Sequence, residues 1–188
     1  MMRPTKADLE AARDRVIPDV LPEAPGTLRV LFCGINPGLY SGATGRHFAR
    51  PGNRFWPALH LSGFTDRRLD PSEQDLLPGY GLGITNLAPR TTARADELTG
   101  AELREGGRRL AALVERHRPA CLAVAGVTAY RTAFDRPGTR IGPQGENFGS
   151  ARLWVLPNPS GLNASWPLDR IAAEFTRLRE AADSLRTP

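Results

Sequence analysis

Two short segments contain the residues best suited to chemistry, GINPG at residues 34–38 and PNPSGLN at residues 157–163. Each places an asparagine, Asn36 or Asn158, beside a proline and a glycine. Proline fixes φ and glycine permits close approach of a ligand, so such loops present their side-chain amides at defined positions. A carboxamide both donates and accepts hydrogen bonds, so it can hold a water or read the edge of a base. Asn-Pro-Gly is also a common turn, which leaves a purely structural role open.

The elements that must position these loops follow from the hydrophobic pattern. Nearly continuous apolar runs predict strands buried on both faces at residues 28–35, 81–87, 120–126 and 152–156. Segments of helical period occupy residues 6–17, 53–61, 101–117 and 127–134. Thr99 and Glu102 form a capping box at the start of the third of these. A last helix is predicted to begin with Pro167 and to bury Leu168, Ile171, Phe175, Leu178, Ala182 and Leu185.

This alternation of strand and helix predicts the fold class. We expect a single domain over residues 1–188, an α/β protein built as a three-layer α/β/α sandwich with a short, mainly parallel four-stranded sheet. Loops that follow parallel strands meet at the carboxyl edge of the sheet. Both Asn-Pro loops are therefore expected at one edge.

Composition narrows the class of partner and the compartment. Lys and Arg number 25 against 20 Asp and Glu, a net charge of +5 that is compatible with nucleic acid. Lys6 is the only lysine, and codon bias explains the ratio of arginine to lysine better than function does, so only the sign of the net charge counts. Cys33 and Cys121 lie in apolar runs, so we expect buried thiols in a reducing compartment. With no secretory signal pattern and no apolar stretch near ~18 residues, we expect a cytoplasmic protein that does not enter a membrane.

The paired loops resemble a known family. GINPG with the downstream FARPGNRFW resembles motif one of the mismatch-specific uracil-DNA glycosylases and thymine-DNA glycosylases, and LPNPSGLN resembles their motif two. The resemblance implies a uracil-DNA glycosylase-like fold and a monofunctional hydrolase of base excision repair. Its partner would be double-stranded DNA with G·U or G·T mismatches. It would act as a monomer in the bacterial cytoplasm, at the nucleoid, with no metal, other cofactor or obligate protein partner.

The resemblance also assigns residues. Asn36 matches the asparagine that positions the hydrolytic water. The residues matching positions at the flipped base are Ile35, Gly38, Ser41, Phe48 and Asn158. The residues matching the wedge that enters the vacated duplex are Gly161, Leu162 and Asn163. Phe48 could instead be a core aromatic, and Leu162 an ordinary exposed loop residue. Arg46, Arg50 and Arg54 beside motif one are either solvated charges or phosphate contacts.

The sequence departs from the family pattern in several places. Ala164 and Ser165 stand where the family often has arginine, which removes one phosphate contact. Tyr40 stands where related proteins often have serine, and Asn86 replaces a lysine of some relatives. The faster uracil-DNA glycosylases have aspartate in motif one and histidine in motif two. Asparagine at both places makes this chain resemble the slower, mismatch-tolerant branch.

A pair of acids follows the second predicted strand, in the loop at residues 88–97. Asp96 and Glu97 precede a helix, where negative charge is favourable in its own right. Close relatives can have asparagine where Asp96 falls. We therefore hypothesise that Asp96 supplements Asn36 as a catalytic residue and broadens the range of substrates.

Two other functional classes compete with this interpretation. A nucleotide-binding α/β module should contain GxGxxG or GxxxxGK[ST], and the sequence has neither. A non-catalytic DNA-damage-binding domain of the same fold would keep the wedge but would not need Asn36.

Overall fold

The computed structural model describes residues 3–185. The helices are α1 (Lys6–Ala11), α2 (Leu39–Thr44), α3 (Phe55–Leu61), α4 (Gly100–His117), α5 (Val127–Phe134) and α6 (Leu168–Ser184), with 3-10 helices at Pro71–Tyr80 and Ala95–Glu97. The strands are β1 (Val30–Gly34), β2 (Leu82–Asn86), β3 (Cys121–Ala125), β4 (Gly142–Phe148) and β5 (Ala151–Leu156).

The strands form one mixed sheet in the order β2-β1-β3-β5-β4. β1 pairs in parallel with both β2 and β3, and β3 pairs in parallel with β5. The predicted α/β sandwich is confirmed, but the sheet has five strands and the prediction of four was wrong. The additional strand, β4, is antiparallel to β5 at the sheet edge and is largely polar and exposed. An edge strand facing solvent needs no apolar run, so its sequence lacks the pattern that predicted the others.

Hydrophobic clusters cover both faces of the sheet. Phe32 of β1 belongs to the cluster that includes residues of α3 and α6, and its neighbour Leu31 belongs to the cluster that includes residues of α4 and α5. Successive side chains of a strand point to opposite faces, so a strand buried on both must be apolar throughout. This is why the four parallel strands could be recognised as continuous apolar runs.

The observed helix boundaries agree with some of the sequence signals for helix ends and differ from others. The Thr99–Glu102 capping box is present, with the Glu102 amide donating to Thr99 Oγ1 at 3.1 Å. The helix predicted at residues 6–17 ends at Ala11, and Asp14 adopts a left-handed φ of 60° that a continuing helix does not allow. Pro167 caps α6 and is not its first residue, while Leu185 lies beyond the helix and is 48% exposed.

Helix α4 also fixes the end of β2. A Cβ on Gly106 would lie 2.0 Å from the carbonyl oxygen of Leu87, so only glycine permits the close packing seen here. From the next turn Arg109 donates to the carbonyl of Asn86. The carboxyl end of β2 is thereby held against α4.

Within residues 3–185, no helix combines the length and the apolar character needed to cross a membrane.

Candidate functional site

A cavity of about 520 Å³ opens at the carboxyl ends of the four parallel strands, and we call it the edge cavity. It brings together most of the residues that the sequence singled out, namely Ile35, Asn36, Gly38, Ser41, Phe48, Asp96, Asn158, Leu162 and Asn163. Gly161 does not line the cavity. A Cβ on Gly161 would lie 2.7 Å from the carbonyl oxygen of Gly52, so it is the residue through which the wedge packs on the 50–53 segment.

The carboxamide of Asn36 has a fixed orientation. Its Nδ2 lies 2.7 Å from Thr92 Oγ1 and 3.2 Å from the carbonyl oxygens of Pro37 and Arg90. Reversing the amide would place Oδ1 against those carbonyl oxygens, which cannot donate. Thr92 Oγ1 uses its own hydrogen to bond the Arg94 carbonyl at 2.7 Å, so it accepts from Asn36. Oδ1 is therefore the part of this side chain that can accept a hydrogen bond from a water.

The loop after β1 is bonded along its length to the loop after β2. Backbone carbonyls of Gly34 and Ile35 accept from the amides of Leu87 and Ala88, each at 2.9 Å. The Pro37 carbonyl accepts from Thr92 at 3.1 Å. The Ile35 carbonyl oxygen therefore already accepts a hydrogen bond from within the protein. Gly38, by contrast, is exposed, and a Cβ there would meet no atom within 4 Å, so a ligand can approach its backbone closely.

Phe48 forms part of the wall of the edge cavity. Its ring stacks on Phe55 with centroids 4.2 Å apart, and its backbone is left-handed with φ at 53°. Such a φ is uncommon for a bulky residue and indicates a position held by its surroundings. Ser41 of α2 helps to hold this position, because its buried Oγ accepts from the amide of Ala49, the residue after Phe48, at 3.3 Å. Phe48 is thus half-buried and part of both the core and the cavity wall.

Asn86 is a cavity residue whose role the sequence alone did not reveal. At the end of β2 it is 5% exposed, and its Nδ2 lies 3.2 Å from Nδ1 of His47. The other ring nitrogen of His47 lies 2.9 Å from the Pro18 carbonyl, which can only accept. His47 must therefore be neutral, with its proton on Nε2, for Asn86 to donate to Nδ1. The useful signal was the position of Asn86 at a strand end on the same edge as Asn36.

Glycine at position 34 makes room for this arrangement. A Cβ there would lie 2.4 Å from Asn86 Oδ1 and 3.3 Å from Cζ of Phe48. The first glycine of GINPG therefore allows the amide of Asn86 and the ring of Phe48 to approach the end of β1 together.

The loop at residues 157–163 is organised by its own asparagines. Asn158 Oδ1 accepts from the Ser160 amide at 3.0 Å, and Asn163 Nδ2 donates to the Asn158 carbonyl at 3.0 Å. These bonds form a closed turn. Leu162 projects from it with 74% of its surface exposed. Leu162 is the most exposed of the large apolar side chains in residues 3–185, and its position on a braced turn suits insertion into an apolar environment.

Arg54 is hydrogen-bonded to this loop. Neither interpretation of the arginine cluster, solvated charge or phosphate contact, predicted that role. Its guanidinium donates to the carbonyls of Ser160, Asn163 and Trp166, the last two at 2.9 and 2.6 Å. Its backbone amide bonds the Pro159 carbonyl at 2.9 Å. The guanidinium reaches these carbonyls from two nitrogens held in a rigid fork, and the single nitrogen of a lysine ammonium cannot occupy both positions. Arg54 therefore positions the loop at residues 157–163, which we call the wedge loop after its predicted role.

Asp96 reaches the edge cavity but is engaged in an ion pair. Its carboxylate accepts from Nε of Arg94 at 3.0 Å, and 61% of its side chain is exposed. The hydrogen bond from Arg94 lowers the pKa of Asp96, so the carboxylate stays ionised. Glu97 points elsewhere, accepting from Arg13 and from the Arg94 amide, each at 2.8 Å. The cap of α4 is made by Thr99 and Glu102, so Asp96 is not needed for it.

The cysteines lie outside the site. Both Cys33 and Cys121 are free and buried, as predicted, and burial raises the pKa of Cys121 to about 11. Over residues 3–185 there is no group of three or more His, Cys, Asp or Glu placed to hold a metal ion.

The buried His47 predicts a pH dependence of stability. Burial lowers the pKa of His47 below its ordinary value of 6.5, outweighing the bond to Pro18 that raises it. The unfolded chain then takes up this proton more readily than the folded one, so stability is lost as the pH falls below 6.5. We expect the stability advantage of the wild type over His47→Gln to shrink between about pH 7 and pH 5. Denaturant unfolding of both proteins at each pH measures it, and an advantage that grows with acid contradicts the assignment.

The contacts of Arg54 predict a local effect on the wedge loop. Arg54→Lys leaves at least one carbonyl of the loop without its donor, so amide hydrogen exchange should accelerate in residues 158–167 while the sheet stays protected. Arg50→Lys is the matched control, because Arg50 is exposed and makes no side-chain hydrogen bond within the described residues. Equal exchange in the two variants would show that Arg54 does not hold the loop.

The geometry agrees with a comparison to known families. A family model described as the Uracil DNA glycosylase superfamily matches residues 21–182, which includes every strand of the sheet and both Asn-Pro loops. The match covers most of the chain, and the chain belongs to the Uracil DNA glycosylase superfamily.

Proposed function

We propose that this protein is a monofunctional, mismatch-specific uracil-DNA glycosylase that removes uracil mispaired with guanine from double-stranded DNA. Membership of the superfamily supports a DNA glycosylase that acts on uracil. The observation on which the proposal rests is the Asn36 carboxamide, held through Nδ2 with Oδ1 as its available acceptor. The thymine of G·T pairs is the further substrate that the mismatch-tolerant branch would accept. One chain supplies both loops of the edge cavity, which supports action as a monomer, and we place the reaction in the cytoplasm.

The chemistry needs a positioned water and little acid–base catalysis. Water held by Asn36 Oδ1 adds to C1′ of the sugar as the bond from C1′ to N1 of uracil breaks. The base leaves with the electron pair, and the proton released by the water ends on the base or in solvent. The sugar passes through a cationic, oxocarbenium-like state. A carboxamide does not titrate near neutral pH, so Asn36 can orient the water but cannot act as a strong base, and slow turnover follows.

The remaining cavity residues suit an extruded pyrimidine. Phe48 offers an aromatic wall already stacked on Phe55, so a base can extend the stack. Asn86 offers a buried carboxamide whose orientation is set by His47, and an amide can both donate to and accept from a pyrimidine edge. Leu162 is exposed on a braced loop and can fill the space that the base leaves in the duplex.

Removing the carboxamide of Asn36 tests the proposed water site. Asn36→Ala should lower the single-turnover rate on a G·U duplex by on the order of 10²–10³-fold, the usual effect of deleting one preorganised polar group. Duplex affinity should stay close to that of the wild type. A variant that binds and cleaves at nearly the native rate would move catalysis to another residue. A wild type that binds G·U DNA without cleaving it would favour a damage-binding domain.

Shortening Leu162 tests the wedge. Leu162→Ala should slow excision of uracil from paired duplex much more than from single-stranded DNA, because only the duplex requires the vacated space to be filled. The ratio of the two single-turnover rates is the readout, with Ala164→Gly in the same loop as the control. A similar loss on both substrates would argue that Leu162 serves only the fold of the loop.

Comparing the two acids tests a supporting role for Asp96. We propose that the ionised Asp96 carboxylate at the cavity rim stabilises the developing cation or orients the water. Asp96→Asn should then slow single-turnover cleavage at least tenfold, while Glu97→Gln, which alters a carboxylate turned towards Arg13, changes it little. The gap should widen on substrates other than G·U if Asp96 broadens the substrate range. Small and equal effects would reduce Asp96 to a surface ion pair with Arg94.

A further inference from the structure

A second cavity, of about 730 Å³, adjoins the edge cavity and is lined by four arginines, Arg3, Arg46, Arg50 and Arg68. We call it the arginine groove. The two cavities share Phe48, Arg50 and Asn53, so the 48–53 segment separates them and borders both. Of the predicted site residues only Phe48 also lines this groove, and the sequence left Arg46 and Arg50 open as solvated charges or phosphate contacts.

The charge in the arginine groove is largely unneutralised. Over residues 3–185 only Arg46 of the four has an ion-pair partner, Asp75, at 3.1 Å. Arg3, Arg50 and Arg68 are exposed. The one carboxylate in the lining, Asp70, accepts from the amide and hydroxyl of Ser72 at 2.9 and 2.6 Å and stays charged, so four arginines face two carboxylates, Asp70 and Asp75. Exposed guanidinium groups concentrated in a concave surface favour an anionic ligand with several charges.

Trp56, which lines the groove, cannot act as a platform for a base. Trp56 is 3% exposed and donates its indole N–H to the His47 carbonyl at 3.1 Å. Phe48 has one face stacked on Phe55 and borders both cavities, and Tyr40 is half-buried in the groove lining. Asp70 occupies the amino end of the 3-10 helix at Pro71–Tyr80, where a terminal phosphate of a nucleotide would otherwise be favoured. Phosphates spaced along a chain fit the exposed arginines of the groove better than a single terminal phosphate at this helix end does.

The groove is also placed next to the wedge. Gly161 packs on the Gly52 carbonyl, and Gly52 lines the groove. A DNA strand leaving the point where Leu162 would enter the duplex therefore needs to cross only the 50–53 segment to reach it. Arg50 and Asn53, which border both cavities, lie on this path.

We propose that the arginine groove binds the phosphodiester backbone of one strand of the substrate DNA beyond the flipped nucleotide. This inference rests on the proposed function, because it assumes that the base of that strand enters the edge cavity. The groove would supply affinity independent of base sequence. It would also hold the strand that must bend while the nucleotide is extruded.

The test compares two double variants that remove the same charge. Arg46→Gln with Arg68→Gln removes groove arginines that do not line the edge cavity. Arg104→Gln with Arg116→Gln removes exposed arginines from α4, which packs on the opposite face of the sheet. Binding is measured on a uracil-free duplex over a range of salt concentrations. The groove variant should weaken binding and reduce the slope of log K against log salt by about 1.8, which is two phosphate contacts. The α4 variant should leave the slope within about 0.5 of the wild type.

Neutral phosphates identify the contact directly. Replacing phosphates one by one with methylphosphonates on the uracil strand and its complement should reveal a short run, on one strand, at which wild-type binding weakens. The same replacements should have no further effect on the groove variant.

The outcomes separate this inference from the proposed function. If the wild type fails to cleave G·U DNA, the glycosylase proposal fails while the salt slopes still report on the groove. If the wild type cleaves and both double variants show the same slope, or methylphosphonates weaken both proteins equally, the arginine groove does not bind the backbone.

Discussion

The hydrogen bonds from the Asn36 carboxamide to the loop after β2 are the interaction on which the site depends. They join the loop after β1 to the loop after β2 through Arg90 and Thr92. They also settle a chemical choice, because an amide that donates on one side must present its oxygen on the other. A loop whose backbone is bonded to its neighbour at several further points cannot turn that oxygen away. The acceptor of the proposed water site is therefore oriented before any substrate binds.

A second set of contacts joins this pair of loops to the loop after β5. Arg54 opens α3 and holds the carbonyls of the wedge loop, while Gly161 rests on the Gly52 carbonyl. The segment that contains Phe48 therefore also supports the loop that contains Leu162. The residues proposed for base stacking, the support of the proposed wedge and the arginine groove therefore all depend on this one segment. A change in the 48–54 segment should be felt in all three.

The sequence predicted those parts of the molecule whose signal is local. Continuous apolar runs marked the four parallel strands, and the rule that loops after parallel strands share one edge placed Asn36 and Asn158 together. β4 escaped because an exposed antiparallel edge strand has no hydrophobic pattern. The role of Arg54 was not predicted because its hydrogen-bond partners lie more than 100 residues away in the chain. The spacing of arginines does not reveal which carbonyls each will contact. Asn86 was noted only as a substitution, since its bond to His47 depends on tertiary packing.

The central claim is that this protein hydrolyses the bond between uracil and deoxyribose in mismatched DNA. Mass spectrometry of the products from a G·U duplex, incubated in ordinary water and in ¹⁸O-labelled water, tests it most directly. We predict free uracil and an unbroken strand containing one abasic site, with the label on the sugar and not on the released base. An intact uracil strand, or a strand cut at the site without prior release of free uracil, would contradict the claim.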